Sequence, residues 1–172
     1  TDVEAAILSF VESWHAHGSS WEHWLDQMEQ LRSTFARSIG ADSDEVAILP
    51  SASVGISALA SAMSYKAPRN HVVIGEFEFP TMTQIWLAQQ SRGATIDWVR
   101  AQGNKLPLEN YATTINARTL IVPTTDVCYK NGHRTDIAGL IALCQDRGAL
   151  ILLDDYQRTG TGPIDVHALG VD

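Results

Sequence analysis

The stretch Ala149-Leu150-Ile151-Leu152-Leu153-Asp154-Asp155-Tyr156-Gln157 constrains this chain more than any other part of it. An unbroken apolar run of this length reads as a strand buried on both faces, which is the mark of a parallel sheet. Carboxylates that close such a run arrive at the strand's carboxyl end, where open α/β sheets gather their ligands. Two chemistries use an acid placed there. One is an aspartate that handles a metal-bound phosphate beside a phosphate loop; the other is an aspartate that pairs with a cationic heterocycle.

The rest of the pattern supports the sheet. From Glu45 onward short β runs at 46–49, 72–74, 94–99, 119–122 and 150–153 alternate with helical segments at 53–63, 81–91, 108–115 and 135–146, the last stopped by Gly148. Such alternation predicts a mainly parallel sheet with helices on both faces, a three-layer α/β/α arrangement. Before it lie two helical patterns. Val3, Ile7, Phe10, Val11 and Trp14 recur at helical spacing until Gly18. Ser19 with Glu22 then forms a capping-box signature, Trp21, Trp24, Leu25, Met28, Leu31 and Phe35 make an apolar stripe, and Gly40 closes the helix. The tryptophans at 14, 21 and 24 are read as core. The expected division is an N-terminal helical segment at 1–44 and an α/β domain at 45–172.

Composition excludes several classes. A net charge of −8 without any Lys/Arg cluster opposes binding to nucleic acid. No apolar run approaches the roughly 20 residues of a spanning helix, and the N-terminus lacks signal-peptide order, so no membrane association and a cytoplasmic location are expected. The two cysteines, Cys128 in a loop and Cys144 on an apolar helix face, are not expected to pair. The chain starts at Thr1 without a methionine and stops at Asp172; both ends read as cut, so the sheet is expected to be incomplete.

Candidate site residues cluster just after the predicted strands. The small-residue stretch Ser51-Ala52-Ser53-Val54-Gly55 follows a strand and opens a helix, where free N–H groups and the helix dipole favour an anion and the Ser53 hydroxyl adds a donor. The plain alternative is that Ser53 is simply an N-cap. Glu76-Phe77-Glu78-Phe79-Pro80-Thr81 places an aromatic before proline, able to offer a ring face to a flat ligand or to serve as a buried anchor. Thr124-Thr125-Asp126-Val127-Cys128-Tyr129-Lys130-Asn131-Gly132 carries a tyrosine and a lysine on what is also an ordinary Asn-Gly turn. Cys128 reads as structural rather than nucleophilic. His15, His17 and His23 are spaced too poorly for a metal site, and no metal is expected. Thr159-Gly160-Thr161-Gly162-Pro163 lacks the third glycine of a dinucleotide loop, and no Gly-x-x-x-x-Gly-Lys-Ser/Thr loop exists to serve Asp154, which disfavours the phosphate-loop chemistry.

In this order the Ser-Ala-Ser turn, the Phe-Pro-Thr segment, the Tyr-Lys-Asn-Gly turn and Leu-Leu-Asp-Asp-Tyr-Gln followed by Gly-Pro-Ile-Asp-Val-His-Ala-Leu-Gly-Val-Asp resemble the large domain of fold-type I pyridoxal-phosphate enzymes. More narrowly they resemble class V aminotransferases, the group of kynureninases, cysteine desulfurases and isopenicillin-N-epimerase-like proteins. The resemblance covers 45–172 well and the N-terminal helices loosely. It implies pyridoxal 5'-phosphate as cofactor, an amino acid as substrate and a homodimer.

Residue by residue, the resemblance assigns the pyridine-nitrogen carboxylate to Asp154, where a carboxylate favours the protonated ring that acts as electron sink. It gives Gln157 the bond to the cofactor's phenolate oxygen, Ser53 and the backbone of Ala52 the phosphate, Phe79 the stacking face, and Tyr129 the turn that approaches the cofactor. Asp155, on the other side of the strand, is expected to be secondary. Met82 stands where kynureninases often carry an acid. The family's Schiff-base lysine falls shortly beyond the aspartate matched by Asp172, and Lys66, Lys105 and Lys130 do not occupy its motif. The resemblance therefore implies a pyridoxal-phosphate enzyme of amino-acid metabolism when complete, with these residues alone inactive. A non-catalytic binding or assembly module that keeps the fold is the competing reading, and a nucleotide-binding α/β domain a third.

Overall fold

A computed structural model describes all residues, Thr1–Asp172. The chain divides into two compact units, Thr1–Ile48 and Leu49–Asp172.

The first unit contains helices α1 (Asp2–His17) and α2 (Trp21–Ile39). Gly18, at φ 68°, ends α1, and Gly40, at φ 69°, ends α2 with its N–H bonded to the Ala36 carbonyl. The Ser19/Glu22 capping box does not form. The N-cap is Ser20, one residue later than the box requires, and its side chain makes no cap bond. The tryptophans also depart from expectation. Phe10, Trp14, Trp21 and Trp24 form a chain of tilted and edge-on ring contacts at 5.5 to 6.1 Å, yet Trp14 and Trp21 remain 51% and 67% exposed. Helical spacing shows which side of a helix is apolar, not that a second layer covers it. The predicted strand at 46–49 is absent as well. Its backbone is extended at Val46, but the Val46 carbonyl accepts from Arg32 Nη1 at 2.8 Å and no strand pairs with it.

The second unit is the predicted three-layer α/β/α domain. Its four strands, β1 (His71–Gly75), β2 (Thr95–Val99), β3 (Thr119–Thr125) and β4 (Leu150–Asp154), form an all-parallel sheet in the order β2-β1-β3-β4. Alternate residues feed two cores, as strand geometry requires. Val72, Ile74 and Ile121 pack with Met82 and Trp86 on the side of α3 (Ala52–Ala62) and α4 (Pro80–Ala88). Val73, Val122 and Ile151 pack with Tyr111, Leu140 and Cys144 on the side of α5 (Leu108–Thr114) and α6 (Ile137–Arg147).

Local chemistry sets the element ends. Asp136 caps α6 by accepting the Gly139 N–H at 3.0 Å, and Gly148 at φ 62° ends it. Pro80 occupies the first turn of α4, where its missing N–H costs nothing. After α4 a 3-10 turn ends at Gly93, whose φ of 104° and 2.8 Å clearance from the Tyr65 carbonyl oxygen to an added Cβ admit only glycine. β3 runs three residues past the predicted 119–122. Proline interrupts strand patterns because it cannot donate to the ladder, but here Pro123 pairs in register with Leu152 and the strand continues to Thr125. That extension sets Thr125 beside Asp154.

Candidate functional site

At the carboxyl edge of the sheet a cavity of about 250 Å³ opens between the start of α3, the start of α4 and the ends of β3 and β4. Every sequence-predicted site residue lines it: Ala52, Ser53, Phe79, Tyr129, Asp154 and Gln157.

The start of α3 supplies donors. Ser51, not Ser53, is the N-cap, and its hydroxyl accepts from the Val54 N–H at 3.2 Å. Ser53 is thus the second helical residue, its hydroxyl free of capping duty. The N–H groups of Ala52 and Ser53 belong to the first turn, which has no intrahelical acceptors. The dipole of this 11-residue helix adds its positive end to the same place.

Phe79 precedes Pro80 with extended backbone and is 44% exposed, so it is not a buried anchor. Its ring meets the Tyr129 ring edge-on, with centroids 5.0 Å apart and planes at 67°. Tyr129 rides on a tight turn closed by the Gly132 N–H to the Cys128 carbonyl (2.9 Å) and the Cys128 N–H to the His133 carbonyl (2.8 Å). Lys130 lies with its ammonium 5.5 Å from the centre of the Tyr129 ring. No lysine lines the cavity. Cys128 and Cys144 are buried and unpaired, and burial pushes the Cys144 thiol up to about 12.

Asp154 ends β4. Its backbone carbonyl accepts from the Asp126 N–H and from the Thr125 hydroxyl, both at 3.3 Å, while its Oδ1 accepts from the Tyr156 N–H at 3.0 Å. These bonds fix the carboxylate at the cavity. Asp155 is not part of the lining; it accepts the Thr159 hydroxyl at 2.6 Å. Gln157 and the 77% exposed Tyr156 form the rim.

Two acids of the segment after β1 have opposite environments. Glu76 accepts from the Ala101 N–H at 2.7 Å and pairs with Arg100 at 2.5 Å, and these partners hold its carboxyl below the usual range. Glu78 is 5% exposed, and neither of its oxygens makes a hydrogen bond of good geometry. Burial, reinforced by the charge of Asp154, pushes its carboxyl up to about 8; the neighbouring Thr125 N–H and Thr124 hydroxyl offset this only in part. Asp126 is also buried and its carboxyl raised by that burial, but Arg158 at 3.1 Å and Arg134 at 3.7 Å oppose the rise.

Sequence reasoning missed Glu78, Thr125 and Asp126. The signal for Glu78 was its place directly before Phe79. Thr125 was hidden by the early end assigned to β3.

The donor set of the cavity matches a ligand with an anionic end, a flat ring and a basic ring nitrogen: a helix N-terminus with a serine, an exposed aromatic, and a fixed carboxylate.

Comparison with known proteins places the fold and the family. The model of the family described as Aminotransferase class-V matches residues 2–172. The "Uncharacterized aminotransferase YcbU" of Bacillus subtilis (strain 168) is 34% identical over 170 residues, covering 99% of this chain and 45% of that protein. Kynureninase of Pseudomonas fluorescens is 30% identical over 171 residues, covering 94% of this chain and 38% of its own length. The chain thus spans less than half the length of these relatives. Among solved structures, the cystine C–S lyase C-DES in complex with cysteine persulfide superposes with a TM-score of 0.90 over 98% of this chain and 47% of that one, at 19% identity. Another C-DES structure holds glycine covalently linked to its pyridoxal-phosphate cofactor. The shared architecture is the large domain of fold-type I pyridoxal-phosphate enzymes, and the chain belongs to the class-V aminotransferase family, whose members depend on that cofactor.

Proposed function

We propose that residues 45–172 form the cofactor-binding domain of a pyridoxal-phosphate enzyme that acts on an amino acid. The observation that carries this reading is the single cavity that unites the α3 N-terminus, the Phe79 ring and the Asp154 carboxylate. Ser53 and the backbone of Ala52 would hold the phosphate, Phe79 would cover one ring face, Asp154 would face the ring nitrogen, and Gln157 would reach the phenolate oxygen. Tyr129 supports Phe79 through their edge contact and closes that side of the cavity. When bound, the cofactor supplies an electron sink for a substrate carbanion. The protein's part is to hold a negative carboxylate against the nitrogen, orient the ring and exclude water. The family's amine-bearing lysine is proposed to come from outside these 172 residues, so that they alone are inactive. A homodimeric assembly and a cytoplasmic location belong to the same proposal and rest on the family. No helix is long and apolar enough to cross a membrane.

A second reading, a binding or assembly module without chemistry, is favoured by one observation, the lack of a lysine on the cavity wall. Two measurements on the full-length protein separate the readings. Borohydride reduction after loading with pyridoxal phosphate should leave one stoichiometric adduct on a lysine outside this chain; the module reading expects no adduct. Asp154→Asn should keep measurable cofactor and lose most turnover of an amino acid, whereas unchanged turnover would refute the role of Asp154.

A further inference from the structure

Residues 155–163 carry Gln157 from the end of β4 along the rim of the cavity, and no packing fixes them there. None of them is buried, and the apolar side chains among them, Tyr156 and Pro163, are exposed. Their hydrogen bonds close within 154–163: the Arg158 and Thr159 N–H groups donate to the Asp155 carbonyl at 3.0 and 2.9 Å, and the Thr161 N–H and hydroxyl donate to the Arg158 carbonyl at 2.8 and 2.7 Å. On the side away from Gln157 a second cavity, of about 450 Å³, separates Arg158 and Pro163 from the start of α6. The Gln157 side chain makes no hydrogen bond of its own, so its place follows from the backbone that carries it.

One ion pair joins this segment to the rest of the sheet edge. Arg158, next to Gln157, sets its Nε 3.1 Å from Asp126 Oδ2, while its Nη2 donates to the Pro163 carbonyl at 3.1 Å. A single guanidinium thus serves two acceptors and ties down both the middle and the end of the segment, a task that suits arginine's planar fork. Asp126 is a fixed post for it. The residue is buried, its N–H donates to the Asp154 carbonyl at 3.3 Å, and its own carbonyl accepts the Thr135 N–H at 2.8 Å. The other guanidinium near Asp126, that of Arg134, lies farther off at 3.7 Å, on a side chain 66% exposed against 21% for Arg158. The Arg158 pair is therefore the closer and the less screened by solvent. Neither Asp126 nor Arg158 lines the cofactor cavity.

We propose that Asp126 and Arg158 are positioning residues, whose ion pair holds the segment after β4 so that the Gln157 amide stands at the cavity. The proposal rests on the reading that the cavity binds pyridoxal phosphate with Gln157 at the phenolate oxygen. Without the pair, that amide would have to be ordered by the ligand itself, and the ordering would be drawn from the binding energy.

A double-variant cycle on the full-length protein tests this, with the Kd for pyridoxal phosphate and the visible absorption band of the bound cofactor as readouts. Gln157→Ala should raise Kd by about tenfold, the scale of one hydrogen bond to a charged group. Arg158→Met, which keeps an unbranched side chain but loses the charge, should raise it by about three- to tenfold and shift the band, which reports bonding at the phenolate oxygen, in the same direction. Made in the Gln157→Ala protein, Arg158→Met should cost less than about twofold more, because the group it positions is already gone. An unchanged Kd, a band left in place by Arg158→Met, or a full extra loss in the Gln157→Ala background overturns the inference while the cofactor assignment stands. If Gln157→Ala moves neither Kd nor band, Gln157 is not at the phenolate oxygen and the inference falls with that role; if pyridoxal phosphate does not bind the parent, the whole cofactor reading falls. Hydrogen exchange of the apo parent needs no variant and should show the Arg158, Thr159 and Thr161 amides protected. Exchange there at the rate of an open peptide overturns the inference even where Arg158→Met fails to fold.

Discussion

Exchanging Glu78 for glutamine removes a group that binds its proton more tightly in the folded chain than in the unfolded one, so the variant should differ from the parent in how stability depends on pH. The folded carboxyl is raised from 4.5 to about 8, chiefly by burial. Below about pH 4.5 both states hold the proton and the group is without effect on the pH dependence. Between there and about pH 8 the unfolded chain gives up the proton while the folded chain keeps it, so stability falls as pH rises, by about 1.4 kcal/mol per unit. Across the whole window the loss is on the order of 5 kcal/mol, a large share of the 5 to 15 kcal/mol typical of a domain. Glutamine cannot titrate; its buried amide imposes a fixed cost of about 1 to 3 kcal/mol that does not vary with pH. Urea denaturation of apo parent and variant at a series of pH values from about 5 to 9 gives the difference directly. That difference should move steadily in the variant's favour up to about pH 8 and then level off. A flat difference would show that Glu78 is ionised or solvated in the folded protein, and the reasoning from its burial would be wrong.

Removing the Ser53 hydroxyl by Ser53→Ala should weaken pyridoxal phosphate binding by on the order of 1 to 2 kcal/mol, the scale of a charge-assisted hydrogen bond, and leave pyridoxal itself nearly unaffected; equal losses for the two compounds, measured by titration of the full-length protein, would remove Ser53 from the phosphate site. Gly93→Ala should lower thermal stability by about 1 to 3 kcal/mol without changing cofactor affinity, because residue 93 has φ of 104° and an added methyl meets the Tyr65 carbonyl at 2.8 Å; an unchanged Tm would mean that this turn relaxes freely.

The architecture of Leu49–Asp172 was legible because short β runs, with an apolar core in β1, β3 and β4 and apolar residues around Asp97 in β2, alternate with helical segments. The carboxyl edge was legible for the same reason: a strand that ends in Asp154, a helix that starts at Ala52 and a Phe-Pro step that starts α4 all declare where they stop. What failed were features set by partners distant in sequence. Residues 46–49 have the composition of a strand but lack a neighbour to pair with, and composition carries no information about the neighbour. Trp14 and Trp21 have helical spacing but no cover. The capping box failed by one residue, because Ser19 and Ser20 are adjacent candidates and the helix begins after the second.

Glu76 and Glu78 show the limit most clearly. They are two residues apart, chemically identical, and both flank Phe77, so local pattern assigns them similar roles. Their difference is made elsewhere: Arg100 and the Ala101 N–H, following β2, meet Glu76, whereas Glu78 is buried beside Gly75 with Thr124 and Thr125 of β3 as its polar neighbours. An exposed, partnered carboxylate is ordinary; a buried, unpartnered one costs several kcal/mol unless it keeps its proton. Such a cost, one residue before the cavity residue Phe79, is the kind of local conflict that folded proteins retain where a site needs it. Asp154 lines the cavity whereas Glu78, one residue before the cavity residue Phe79, is turned into the core, so burial and not local pattern separates the acids at this edge of the sheet.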